Sequence, residues 1–330
     1  MSVRKQNPGR EIFRRVARAG AVLAFALLSA CSAQKYSCDN QTGRDAIVAD
    51  VDKYLSDQNC TSALAIIETY YPQAGCGTDA IRFARASANA CAANINFFKL
   101  IDDLTGVSLV APAIWSSFAQ LFPSSVADQR VTAGQNSLDA LFAIRLPGTL
   151  TPPAYLINSG TENPGSLVAA HRTEDSNLYS MLVSMSLIGA LENRFGAPDA
   201  SYHKTKKIGA TAGNANGWED VTAVDENACT YAGAVLTFFD SINQVSGTIG
   251  TSLGGATGGA LTTAATLFTG LMNSACDSGC QACGFAAGAC APCPTELRYH
   301  AACTGLATDK ASCAAAGIAD FIDNNPLGWQ

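Results

Sequence analysis

Histidine is scarce in this chain of 330 residues: there are three, His171, His203 and His300. A catalytic zinc site draws most of its ligands from histidine, so three scattered ones argue against such a site. Positive charge is missing from a long stretch. No Lys or Arg lies between Lys207 and Arg298, and residues 241–276 carry no charge of either sign. Phosphate backbones are held by clustered Lys and Arg, so nucleic acid is excluded as a partner. There is no H-E-x-x-H, no P-loop, no dinucleotide fingerprint and no EF-hand loop. No cofactor and no metal are expected, and the chain is not read as an enzyme. Alternating strand patterns are also few.

The N-terminus supplies what the rest lacks. Arg4, Lys5, Arg10, Arg14, Arg15 and Arg18 stand against one acid, Glu11, and an apolar run covers residues 19–28. A basic start, a short apolar segment and small residues after it have the form of a secretory signal. The run is too short to cross a membrane, which takes about 20 residues. The Arg14-Arg15 pair lacks the flanking residues of a twin-arginine signal, so the general secretory route is expected. The segment closes on Leu28-Ser29-Ala30-Cys31, which resembles the lipobox of bacterial lipoproteins. The resemblance implies cleavage before Cys31, acylation of its thiol and stable anchoring by two or more chains. Ser32, where a retention signal would have Asp, implies the outer membrane, facing the periplasm. Residues 1–30 are then the signal and 31–36 a short lipidated tether. Removing the signal takes away six basic residues and one acid, leaving 15 basic against 26 acidic, a net −11 in place of −6.

Of 13 cysteines, 12 remain once Cys31 is set aside. In an oxidising compartment an even number reads as disulfides. They fall into two even groups: Cys38, Cys60, Cys76 and Cys91, then eight from Cys229 to Cys313. The second group holds Cys280-x-x-Cys283 and Cys290-x-x-Cys293. Their separation is shorter than a zinc ribbon's, and disulfides are expected there too.

Helical periods dominate, so the fold class is all-α. Residues 43–58 carry Ile47, Val48, Val51, Tyr54 and Leu55 on one stripe. A second helix, capped by Thr61 or Ser62, carries Leu64, Ile66, Ile67 and Tyr70 and stops near Pro72. A third is capped by Thr78, runs through Ile81, Ala84, Ala88, Cys91, Ile95 and Phe98, and ends near Gly106. Small Ala84, Ser87 and Ala88 would face the bulky side chains of the second helix. This stretch resembles a tetratricopeptide-type helical hairpin, though it lacks that repeat's Trp-x-x-Leu-Gly start. At about 1.5 Å per residue, Cys91 lies level with Cys60 while Cys38 and Cys76 lie at the other end. The pairing expected is Cys38–Cys76 and Cys60–Cys91.

Further helices are expected at 108–122, 132–144, 174–195, 222–245 and 309–323, with Leu178, Met181, Leu182, Met185, Ile188 and Leu191 forming one apolar face of 174–195. The uncharged 241–276 segment reads as a buried helix or an interior loop-helix packed tightly by its neighbours. The organisation expected is an N-terminal helical region, 37–150, a second helical region, 151–275, and a Cys-stapled cap, 276–330. Gly250-Thr251-Ser252-Leu253-Gly254 matches G-x-S-x-G, and Ser252 with His300 is a hydrolase candidate only if a strand precedes the serine. His171-Arg172-Thr173-Glu174-Asp175 reads as an exposed helix start, and His203-Lys204-Thr205-Lys206-Lys207 as a solvated basic loop. The function expected is a membrane-anchored helical scaffold that binds an envelope protein or a small ligand. An accessory subunit of a membrane transport complex is the alternative.

Overall fold

The structure is a computed structural model, and it describes residues 35–96, 112–122, 128–144, 172–206, 226–252, 255–298, 300, 303 and 310–330. Cys31 and its lipobox, His171 and Lys207 lie outside these residues. Among the described residues there are nine α-helices and no strand. The helices are α1 (Gln41–Ser56), α2 (Cys60–Tyr70), α3 (Asp79–Ala92), α4 (Ala113–Leu121), α5 (Asp128–Phe142), α6 (Glu174–Leu191), α7 (Glu226–Ser252), α8 (Gly255–Ala282) and α9 (Lys310–Asn324). A π-helical turn, Glu192–Gly196, extends α6, and a 3-10 turn, Thr295–Arg298, precedes α9.

Helices α1, α2 and α3 each touch the other two. Their stripes meet in a small core of Ile47, Val51, Ala63, Ile67, Ile81, Ala84 and Ala88, all buried. The α1–α2 turn is built by backbone capping. Gln58 takes φ 55°, Asn59 N–H reaches back to the Tyr54 carbonyl at 2.8 Å and Gln58 N–H to Leu55 at 3.0 Å. That is a Schellman ending. The next helix is capped at once, because Asn59 Oδ1 accepts from Ser62 N–H at 3.1 Å. Asn59, not Thr61 or Ser62, is therefore the cap of α2. Thr78 caps α3 as expected.

Helix α3 stops at Ala92 and does not run on to Gly106. Asn94 takes φ 61°, and Ile95 N–H donates to the Ala90 carbonyl at 3.0 Å. Asn tolerates the left-handed conformation that this ending needs, and an apolar Ile95 seals it. Helix α3 also has two packed faces. Ala84 and Ala88 belong to the small core, while Ala86 and Ala90 belong to a larger one. Ser87 does not face α2; its hydroxyl accepts from Tyr179 on α6 at 3.1 Å.

The larger core continues from α3 to the C-terminus. Helix α6 is its axis, packed by α4, α5 and α7. Every residue from Ser180 to Glu192 is buried, so the one-sided face expected for it is absent, and Leu178 is among the exposed apolar residues. A helix enclosed on all sides has no periodicity to read. Trp115, Phe118, Phe238, Phe239 and Phe268 tie α4, α7 and α8 together, with Phe239 and Phe268 stacked at 4.8 Å. The uncharged 241–276 segment is not one buried helix. It is split between α7 and α8, and Leu267 on α8 is 52% exposed.

All twelve cysteines after Cys31 are bonded. Cys38 pairs with Cys76 and Cys60 with Cys91, one bridge at each end of the three-helix unit, as the rise per residue requires. The other eight close among themselves as Cys229–Cys303, Cys276–Cys293, Cys280–Cys290 and Cys283–Cys313. Each cysteine of the two C-x-x-C pairs bonds outside its own motif. No helix among the described residues is long and apolar enough to cross a membrane.

Candidate functional site

Two places in the larger half carry unusual chemistry. The first is a buried polar cluster at the end of α6. The π turn brings Glu192 inward, fully buried. Its Oε1 accepts from the Tyr231 hydroxyl of α7 at 3.2 Å, and its Oε2 has no hydrogen-bond partner. Burial holds the Glu192 carboxyl well above its ordinary 4.5; the Tyr231 hydrogen bond and the nearby Lys204 ammonium oppose this. Tyr231 is itself raised, by burial first and by the Glu192 and Asp323 charges next. Burial therefore favours the protonated form of Glu192.

Lys204 sits at the end of α9. Its Nζ donates to the carbonyl of Asp323, to the Ile322 carbonyl at 3.4 Å and to Asp323 Oδ1 at 3.4 Å. A lysine there satisfies the open carbonyls of a helix C-terminus. The expectation of a solvated basic patch at 203–207 is thus corrected for Lys204, whose side chain is 16% exposed. The 197–206 loop is fastened to the C-terminal tail in two more places. Lys204 N–H donates to the Gln330 carbonyl at 3.1 Å, and the Trp329 indole N–H to the Tyr202 carbonyl at 2.9 Å.

At the other end of α6, Thr173 caps the helix and Glu174 and Asp175 stand exposed in its first turn. Arg172 departs from the exposed start expected. It is buried, donating from Nε to Asn177 Oδ1 at 3.0 Å and from Nη2 to Ser241 Oγ at 3.3 Å, with its guanidinium over the Phe142 ring at 4.9 Å. Stacking and hydrogen bonds offset the cost of burying the charge.

The second place is an open groove of about 620 Å³ between α8 and α9. Its α8 wall is Leu271, Ser274, Ala275, Ser278, Gly279 and Ala282, spaced as one helical face. Its α9 wall is Ala316, Gly317, Asp320, Phe321 and Asn324, with Asn325 and Pro326 following them in the lining. The helices almost touch at one crossing. A Cβ on Gly279 would stand 2.1 Å from the Cys313 carbonyl, and one on Gly317 would stand 2.2 Å from that of Ala275. The Cys283–Cys313 bridge fastens this crossing.

No protein-family model, no curated protein and no solved structure matches the chain. The tetratricopeptide resemblance thus has no family match behind it. The geometry at Ser252 is plain: it is the last residue of α7, so a helix stands where a nucleophile elbow requires a strand. His300 lies beyond the 3-10 turn, part-buried. Neither the groove nor Glu192 was singled out by the sequence. A faint signal existed for the groove in the small residues repeating every three or four positions along α8, and for Glu192 in an acid closing an apolar helix.

Proposed function

We propose that this chain is an exported lipoprotein, held to the outer membrane by lipid on Cys31, whose helical body binds an envelope protein or a small ligand. The observation that carries binding is the open groove between α8 and α9, an indentation beside the larger core. Export is supported by the bonding of every other cysteine, since such bridges persist where the surroundings oxidise thiols. A serine hydrolase is not proposed, because of the helix before Ser252.

The accessory-subunit reading rests on one observation. Helix α8 exposes Thr263, Thr266, Leu267 and Gly270, an uncharged strip that would sit against an apolar complex. Two experiments test these readings. Labelling cells with radioactive palmitate should mark the wild-type chain and leave Cys31→Ser unlabelled; label retained by the variant removes the anchor. Affinity capture from solubilised envelopes, after cross-linking, separates a soluble partner from an integral one. Finding neither partner nor ligand at any detergent condition would sink the scaffold.

A further inference from the structure

We infer that the α8–α9 groove is a seat for an amphipathic helix of a partner protein, one whose apolar stripe is bordered by Lys or Arg. The inference rests on the scaffold reading above and names the partner's chemistry. Three features of the groove lead to it.

The first is shape. The α8 wall from Leu271 to Ala282 is about 17 Å long, the length of about three helical turns. Its walls are low: Ser274, Ser278, Ala316 and Gly317 let a third helix lay its ridge between two others. The volume admits a row of side chains, with the partner's backbone across the mouth. A strand-like peptide has nothing to pair with, since there is no sheet edge among the described residues.

The second is apolar continuity. Leu267 precedes Leu271 by four residues, on the same face, and is 52% exposed. Leu271 and Pro326 line the groove, and exposed Leu267 continues the Leu271 face of α8 one turn earlier. An exposed large apolar side chain in line with a groove is a docking signature, where a lone one elsewhere is not.

The third is charge. Asp320 is the one ionisable side chain of the lining, and among the described residues no Lys, Arg or His lines the groove with it. Helix α8 has a single charge, Asp277, and the chain has no Lys or Arg between Lys207 and Arg298. Asp320 is exposed, and the amide of Asn324 donates to its Oδ1. A cation on the partner meets a carboxylate there, whereas an acidic helix meets one carboxylate and no base.

The test titrates the chain purified in detergent with two synthetic peptides. Both are acetylated and amidated 14-residue Ala/Leu helices; one carries Lys beside the apolar stripe, the other Glu at the same positions. Calorimetry should detect saturable binding of the Lys peptide and a Glu peptide weaker by about tenfold. Asp320→Asn should narrow that preference by about fivefold, the size of a rim ion pair. Ser278→Trp and Ser274→Arg change exposed positions, so both should fold, with unaltered circular dichroism, and lose the Lys peptide. Leu178→Ala, at an exposed apolar residue of α6, should bind as the wild type does. Equal binding of the two peptides, or Lys-peptide binding indifferent to both wall variants, overturns the inference. Sedimentation of the same samples adds an outcome: a dimer abolished by Ser278→Trp would give the groove to a second copy and also overturn it. A partner captured from envelopes equally by wild type and both wall variants would leave the scaffold standing and remove the groove from it.

Discussion

Replacing Glu192 by Gln should make the protein less sensitive to rising pH. Glu192 is fully buried, with one oxygen accepting from Tyr231 at 3.2 Å and the other unpartnered. A charge in that position would be stripped of water with one hydrogen bond in return, so burial holds the proton on. The sign follows from proton counting. Below the ordinary 4.5 the carboxyl is protonated folded or unfolded, and nothing is lost. Above it, the unfolded chain releases the proton while the folded chain keeps it. Stability then falls by up to about 1.4 kcal/mol for each pH unit, until the folded carboxyl itself titrates.

Gln mimics the protonated acid in shape and keeps the acceptor for Tyr231, but it places an N–H pair where Oε2 has no partner. That costs about 1 kcal/mol at every pH. Urea melts from pH 4 to pH 8, disulfides intact, should therefore show curves that cross. The variant should be slightly weaker near pH 4 and gain on the wild type by up to about 1.4 kcal/mol per pH unit above 4.5. Other carboxylates cancel in the difference, and Lys204, which opposes the burial, only shortens the pH range over which the slope holds. Parallel curves would refute the reasoning, because they would mean that Glu192 is ionised and solvated in the folded protein.

The remaining predictions concern the scaffold. Replacing Cys229 and Cys303 together, a separation of 74 residues, should cost about 4 kcal/mol, and replacing Cys280 and Cys290, a separation of 10, about 3 kcal/mol, in denaturant melts. The reverse order would show that strain or residual structure, not chain entropy, sets the effect. Gly317→Ala should lower stability by about 1–3 kcal/mol, since its Cβ would stand 2.2 Å from the Ala275 carbonyl and 3.0 Å from Gly279 Cα. An unchanged melting point would mean that α8 and α9 are free to separate. Asn94→Gly should be neutral to slightly stabilising and Asn94→Val destabilising by about 1–2 kcal/mol, because the position has φ 61°.

The all-α class and the first three helices were legible because α1, α2 and one face of α3 pack against near neighbours in sequence. Their stripes are amphipathic, their turns carry Asn, Gly and Pro, and the rise per residue alone brought Cys60 level with Cys91. Legibility failed where packing came from afar. Helix α6 is enclosed by α4, α5 and α7, so buried Ser180 and Ser184 were indistinguishable from exposed ones. Asn94 ends α3 through one left-handed residue inside an unbroken apolar rhythm. The Glu192 site takes one group each from the π turn, α7 and the 197–206 loop, with the end of α9 beside it, and no window of sequence holds all four. The groove depends on Gly279 meeting Gly317, which the pattern of α8 alone does not foretell.

The bridges and the composition of the interior explain each other. Alanine, glycine, serine and cysteine occupy many of the positions where helices meet. Ala84, Ala86, Ala88 and Ala90 line both faces of α3, and Ala275, Gly279 and Gly317 meet where α8 crosses α9. Small side chains let backbones approach closely, yet each removes far less apolar area from water than Leu or Ile would, and stability scales with that area. Ser180, Ser184 and Thr237 add buried hydroxyls without partners, each a further cost. Six cross-links offset such an interior by restricting the unfolded chain, and four of them lie in the half that contains the α8–α9 contact. The fold is then conditional on oxidation. Reduction should release the C-terminal helices first, because α9 is held to α8 by small contacts and by Cys283–Cys313. Limited proteolysis with increasing dithiothreitol should cut near α9 before it cuts α6, whose burial does not depend on a bridge; simultaneous cleavage of both would show that the bridges are ornaments on a core stable without them.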